Sequence, residues 1–146
     1  MKFHKQRFLH NPPLTYGDCQ RTCFACLLDM EPEDIPNFGE NYYNVEAWEK
    51  QISEWLKTMN LTKIRIFFHG PLQNVLTSMK SCNPGHYYLL GGVSARGTNH
   101  VVIGLDDAII HDTAIFGDDL SQSIVGPYPD TDLYDIEFLV HRGHRA

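Results

Sequence analysis

No stretch of this chain approaches the ~20 consecutive apolar residues that a membrane-spanning helix needs. The opening residues, Met1-Lys2-Phe3-His4-Lys5-Gln6-Arg7-Phe8, lack the apolar centre of a signal peptide. Basic residues are scarce: 12 Lys and Arg stand against 18 Asp and Glu, for a formal charge of −6. Non-specific nucleic-acid binding relies on clustered cations, so this balance argues against it. The short basic groups at Lys2–Arg7 and His141–Arg145 read as solvated termini. Internal repeats and low-complexity tracts are absent. Cysteine is limited to Cys19, Cys23, Cys26 and Cys82, the first three within one short segment. These absences lead us to expect a cytoplasmic protein with no membrane and no nucleic-acid partner. In such a compartment clustered cysteines point to catalysis or metal rather than to disulfides.

What is present fits one globular domain, 1–146. The chain is long enough for a real core but short for two, and 42% of its residues are apolar. Pro12-Pro13 and Gly17 mark residues 9–17 as a loop. Asp18 is placed to cap a following helix that carries Cys19, Cys23, Cys26 and Leu27 on one face and ends near Met30, before Glu31-Pro32. Asn44 opens a clearer helix, Val45 to Met59, with Val45, Trp48, Ile52, Trp55 and Leu56 at helical spacing. Leu72–Met79 reads as a short helix. Strands are expected at Lys63–Phe68, Tyr87–Gly91, His100–Leu105, Ala108–Asp112 and Leu133–His141, with a hairpin turn at Asp106-Asp107. The order, helix first and then mostly antiparallel strands, is that of an α+β fold.

The chemistry begins at Gly17-Asp18-Cys19-Gln20. A thiol at a helix start faces unpaired backbone N–H groups and the positive end of the helix dipole, which favour the nucleophilic thiolate. The same N–H groups are placed to bind the oxyanion formed when a thiolate attacks a carbonyl. Cys23 and Cys26, further along that face, read as core residues. Downstream, Thr98-Asn99-His100-Val101-Val102-Ile103-Gly104 puts an imidazole at the mouth of an apolar strand, and Ile109-Ile110-His111-Asp112 ends the next strand in a carboxylate. Register decides whether the two meet. A two-residue turn alone points Asp112 to the opposite face from His100. A three-residue turn, or one bulge, is expected to pair them directly. Asp112 then fixes the His100 tautomer, while His111 points away from it.

The spacing Cys19-x-x-x-Cys23-x-x-Cys26 also matches the cluster signature of radical S-adenosylmethionine enzymes. Those enzymes are longer β/α barrels with their cysteines on a loop after a strand. Here one helix carries all three, and no β/α alternation follows. A zinc site is disfavoured because one straight helix seldom supplies three tetrahedral ligands. No metal and no cofactor are expected.

Asp18-Cys19, His100-Val101-Val102-Ile103-Gly104 and Ile110-His111-Asp112 together resemble the papain-like cysteine peptidases. The nearest likeness is to bacteriocin-processing peptidase domains and their free-standing bacterial and phage relatives. The likeness spans about residues 10–115. It implies a papain-like fold with Cys19 as nucleophile, His100 as base and acid, and Asp112 as the orienting residue. The Gln that such enzymes place about six residues before the Cys falls on Pro13 here. Asn11 and Gln20 are therefore the amide candidates for the oxyanion hole. Arg96, in the glycine-containing stretch Gly91–Gly97 read as a β connection, is a candidate substrate contact. The expected activity is hydrolysis or acyl transfer at an amide, isopeptide or thioester bond of a peptide or protein. The alternative is an inactive domain of the same fold that binds a protein partner.

Overall fold

A computed structural model describes residues 1–143 of the chain. Residues 144–146, the end of the expected domain and part of its C-terminal basic group, lie outside the described residues. Helix α1 spans Cys19–Leu28 and ends where Asp29 turns into left-handed backbone at φ 55. Its polarity departs from the one-sided pattern expected. Every residue from Gln20 to Cys26 is buried, so α1 is a central helix enclosed all round. Helix α2 spans Val45–Thr58, and the Asn44 side chain accepts the Ala47 N–H at 3.1 Å, as a helix cap does. Its stripe sends Ile52 and Leu56 into the core, while Val45 at its start is exposed. Helix α3, Leu72–Cys82, begins after Pro71 and runs one turn past the expected Met79.

Five strands complete the fold: β1 (Leu61–Phe68), β2 (Tyr87–Val93), β3 (Asn99–Leu105), β4 (Ala108–His111) and β5 (Tyr134–His141). They form one sheet in the order β1-β5-β2-β3-β4, with every described pairing antiparallel. The α+β class is therefore the architecture found. The segment Gly91–Gly97 is not a connection throughout. Strand β2 continues through Gly91 and Gly92 to Val93, and only the stretch after it turns. These glycines serve close packing: a Cβ at Gly92 would sit 2.6 Å from the Gly126 carbonyl oxygen.

Both sheet faces are covered, which is why β2 and β3 carry nearly continuous buried residues instead of strict alternation. On one face Cys23, Phe24, Ile52 and Leu56 of α1 and α2 pack over Leu89, Val101 and Ile103. On the other, Val75 and Met79 of α3 pack against Leu90, Val102 and Ile136. Phe38, from the aromatic segment after α1, lies fully buried against Phe24 and Trp55, whereas Tyr42 and Tyr43 remain exposed. No helix among the described residues is long and apolar enough to cross a membrane.

Candidate active site

Cys19 occupies the first turn of α1 and is partly exposed. Asp18 precedes it but does not cap the helix as expected. Its carboxylate is drawn the other way, accepting the Arg7 and Phe8 N–H groups at 3.1 Å each and the Arg21 guanidinium at 3.1 Å. Two backbone donors and a cation outcompete the helix start for the same oxygens. The first intrahelical bond is made by the Thr22 N–H to the Asp18 carbonyl. The N–H groups of Cys19, Gln20 and Arg21 thus have no acceptor among the described residues, and the open end of the helix lies at the thiol.

His100 lies at the start of β3 and is 4% exposed; Asp112 follows β4 and is 2% exposed. His100 Nε2 and Asp112 Oδ1 are 2.6 Å apart. The hairpin reaches this meeting by the bulge, one of the two routes expected, and not by a three-residue turn. The turn has two residues, with Leu105 opposite Ala108, and a bulge on β4 then sets Ile103 opposite His111. The extra residue shifts the register by one and brings Asp112 to the His100 side of the ladder. It does not place the two directly opposite each other. Asp112 reaches His100 from just past the strand end.

Asp112 Oδ1 also accepts the Ala114 N–H at 2.8 Å, which holds the carboxylate in place. With Nε2 committed to Asp112, Nδ1 is the nitrogen left for Cys19. Burial alone would push the His100 imidazole down. Its hydrogen bond with Asp112, together with the hydrogen bonding and charge of Cys19, outweighs burial and raises it to about 9. Burial likewise works to raise Asp112, but the bond and charge of His100 prevail and hold its carboxyl below the usual range. The arrangement is a buried His100–Asp112 pair in which Asp112 and the Cys19 thiol together favour the charged imidazole. His111 is engaged elsewhere: its Nε2–H donates to the His4 carbonyl at 2.7 Å.

The other residues singled out in the sequence fall in different places. Arg96 is exposed, and its charge acts on Asp112. Asn11 is exposed in the turn before α1, where its backbone bridges Thr15. Gln20 is buried, and its amide donates to Glu137 at 3.4 Å. Cys23 and Cys26 are both fully buried; the Cys23 thiol donates to the Val101 carbonyl at 3.7 Å. Burial, followed by the neighbouring sulfurs, pushes Cys23 well up, leaving it an inert thiol. Among the described residues no cluster of three His, Cys, Asp or Glu side chains is arranged to hold a metal.

Sequence reasoning missed a charged floor beneath α1. Asp135 and Glu137 alternate on β5 and point to the same face as Leu89 and Gly91, their β2 partners. Lys63 pairs with Glu137 at 2.9 Å and with Glu49 at 2.8 Å, and Arg65 pairs with Asp135 Oδ2 at 2.7 Å. Asp135 Oδ1 is buried and has no hydrogen-bond partner among the described residues. Two carboxylates at alternating positions of an apolar strand were a readable sign of this cluster. Tyr128 joins it from a loop, where no periodicity signals it. Comparison with protein-family models, with curated proteins and with solved structures finds no match to this chain.

Proposed function

We propose that this chain is a cysteine-nucleophile hydrolase or acyltransferase of papain-like fold, acting on an amide, isopeptide or thioester bond of a peptide or protein. The observation that carries the reading is the buried 2.6 Å contact between His100 and Asp112, with Cys19 at an uncapped helix start and its bond and charge acting on the same imidazole. A His100 raised to about 9 is an imidazolium at neutral pH, the charge partner that a thiolate needs. In the forward reaction the Cys19 sulfur attacks the carbonyl carbon, and the π pair moves onto oxygen. The open N–H groups at the start of α1 are the donors available to that oxyanion. Collapse breaks the bond to the leaving amine or thiol, which takes the proton from His100. The neutral imidazole then draws a proton from water or an acceptor amine as it attacks the thioester, and Cys19 is released.

A second reading, an inactive domain of the same fold that binds a protein, draws on one observation. Neither amide candidate is free at the site: Asn11 lies in an exposed turn and Gln20 is held by Glu137. Alkylation separates the two readings. In an enzyme, Cys19 alone of the four cysteines reacts rapidly with iodoacetamide near pH ~6, and His100→Ala slows it. Uniform, slow alkylation that is indifferent to His100 would overturn the catalytic reading in favour of the binding domain.

A further inference from the structure

The two edges of the sheet are unlike. The β4 edge is four residues long, and the opening residues of the chain are bonded beside it: the His4 carbonyl accepts His111 Nε2–H at 2.7 Å, and the Gln6 N–H donates to the Thr113 carbonyl at 2.6 Å. The β1 edge is eight residues long and pairs one to one with β5 from Leu61 to Phe68, without a bulge or a proline. Among the described residues, no backbone group of Thr62–Phe68 bonds beyond that ladder. A long, regular strand with open N–H and C=O groups is a template for another strand.

The side chains of β1 fit the same role. Ile66 stands opposite Ile136, which belongs to the core under α3, so Ile64, Ile66 and Phe68 share that face. Cover from α3 ends before β1, and Ile64 stays 46% and Ile66 41% exposed. On the other face Phe67 is 52% exposed. Cations often guard an edge, but here Lys63 is held by Glu49 and Glu137, and Arg65 by Asp135. A strand laid alongside therefore meets neutralised pairs, not free charges.

An open edge takes a strand, and self-pairing has one register that fits. When two copies of β1 pair antiparallel about a two-fold axis normal to the sheet, residues of the same face stand opposite each other. Centred on Lys63 or Arg65, that residue meets itself; centred on Ile64, Lys63 meets Arg65. Like charges directly opposite destabilise a ladder. Centres nearer either end pair only a short tip of the strand. Centred on Ile66, Ile66 meets Ile66, Ile64 meets Phe68 and Arg65 meets Phe67. The Arg65 guanidinium already lies 4.8 Å from the centroid of its own Phe67 ring, so an arginine–aromatic contact is in place on that face.

We infer that the partner of the β1 edge is a second copy of this chain, paired antiparallel about Ile66 over Ile64–Phe68, so that two five-stranded sheets join into one. Strands β5 and β2 separate this edge from the His100 strand, so the inference does not rest on the chemistry of Cys19. A contact of this length stands at the small end of specific interfaces, and its assembly is reversible.

Sedimentation of the full chain from roughly 5 to 200 μM tests it. The wild-type mass should rise from 16.7 kDa toward twice that value with concentration. Ile66→Lys and Ile66→Glu each set like charges together at the axis and should stay monomeric. An equimolar mixture of the two should assemble, because an ammonium then faces a carboxylate. The more exposed Phe67 gives a second handle that does not depend on those variants folding. Phe67→Lys sets a cation against Arg65 of the second copy and should weaken assembly about tenfold, whereas Phe67→Glu should not weaken it. A wild-type chain that stays at 16.7 kDa throughout overturns the proposal and leaves the edge to a different protein or to none. Assembly that survives both Ile66 variants places the interface elsewhere and overturns it too. So does a mixture of folded Ile66 variants that stays monomeric, or an equal effect of Phe67→Lys and Phe67→Glu.

Discussion

Replacing Asp112 by Asn retains an acceptor for the Ala114 N–H and removes the charge that faces His100. The size of the effect follows from the imidazole. A shift from 6.5 to about 9, against a burial that pushes the other way, means the neighbours favour the charged ring by about 3 kcal/mol net. The hydrogen bond with Asp112 is the largest single favourable influence among them. Without its charge, His100 should titrate at least ~1 unit lower, and stability near pH 6 should drop by about 1–3 kcal/mol. The pH dependence has a definite sign. His100 is raised on folding, so its contribution is fully present below 6.5 and is lost as pH rises through about 9. Asp112 is lowered on folding, so its contribution is present above the ordinary carboxylate range and is lost as pH falls through its depressed value. The gap between wild type and Asp112→Asn should therefore be widest between roughly pH 4 and 6.5 and close toward 9. Urea denaturation across that range, with proton NMR of the His100 ring, measures both quantities. A His100 midpoint that stays near 9 in the variant, or a stability gap constant from pH 5 to 10, would refute the assignment of Asp112 as the group that holds the imidazolium.

Two further outcomes follow from the geometry. Gly91→Ala would drive a Cβ into Asp135 Oδ1 and the Tyr128 hydroxyl, so the variant should lose roughly 1–3 kcal/mol in urea denaturation. Wild-type stability there would mean the floor of the site yields freely. The Lys5 ammonium donates to the Asp112 carbonyl at 2.8 Å and the Gly117 carbonyl at 3.4 Å, with Asp118 at 3.6 Å, so it ties the segment carrying Asp112 to the irregular N-terminal segment. Lys5→Met should speed amide hydrogen exchange between residues 112 and 118, and Lys5→Arg should restore much of the protection. Unchanged exchange in Lys5→Met would show that the tie is not needed.

Cys19, His100 and Asp112 were legible because each carries a local sign. A turn glycine and an acid precede the thiol, a turn precedes the imidazole, and a carboxylate ends an apolar run. The helix from Asn44 was legible for the same reason, since its cap and stripe are near neighbours in the chain. Asp18 shows the limit of such reasoning. Its role as a cap is what a neighbour in sequence would give it, yet Arg7 and Phe8 from a separate segment claim the carboxylate.

The remainder is decided by residues far apart in the chain. Burial of α1 on all sides depends on both the sheet and the Phe38 segment, and no helical periodicity records that. The bulge between Ile109 and His111 adds a single residue, which is too small for alternation to locate in a four-residue strand. Whether Gln20 faces an oxyanion or a carboxylate depends on Glu137, more than a hundred positions away. Local order in the sequence determined which groups could act and which elements carry them. Only long-range packing decided which of those groups meet, because a hydrogen bond reaches about 3 Å and its partners here are brought together by the sheet rather than by the chain.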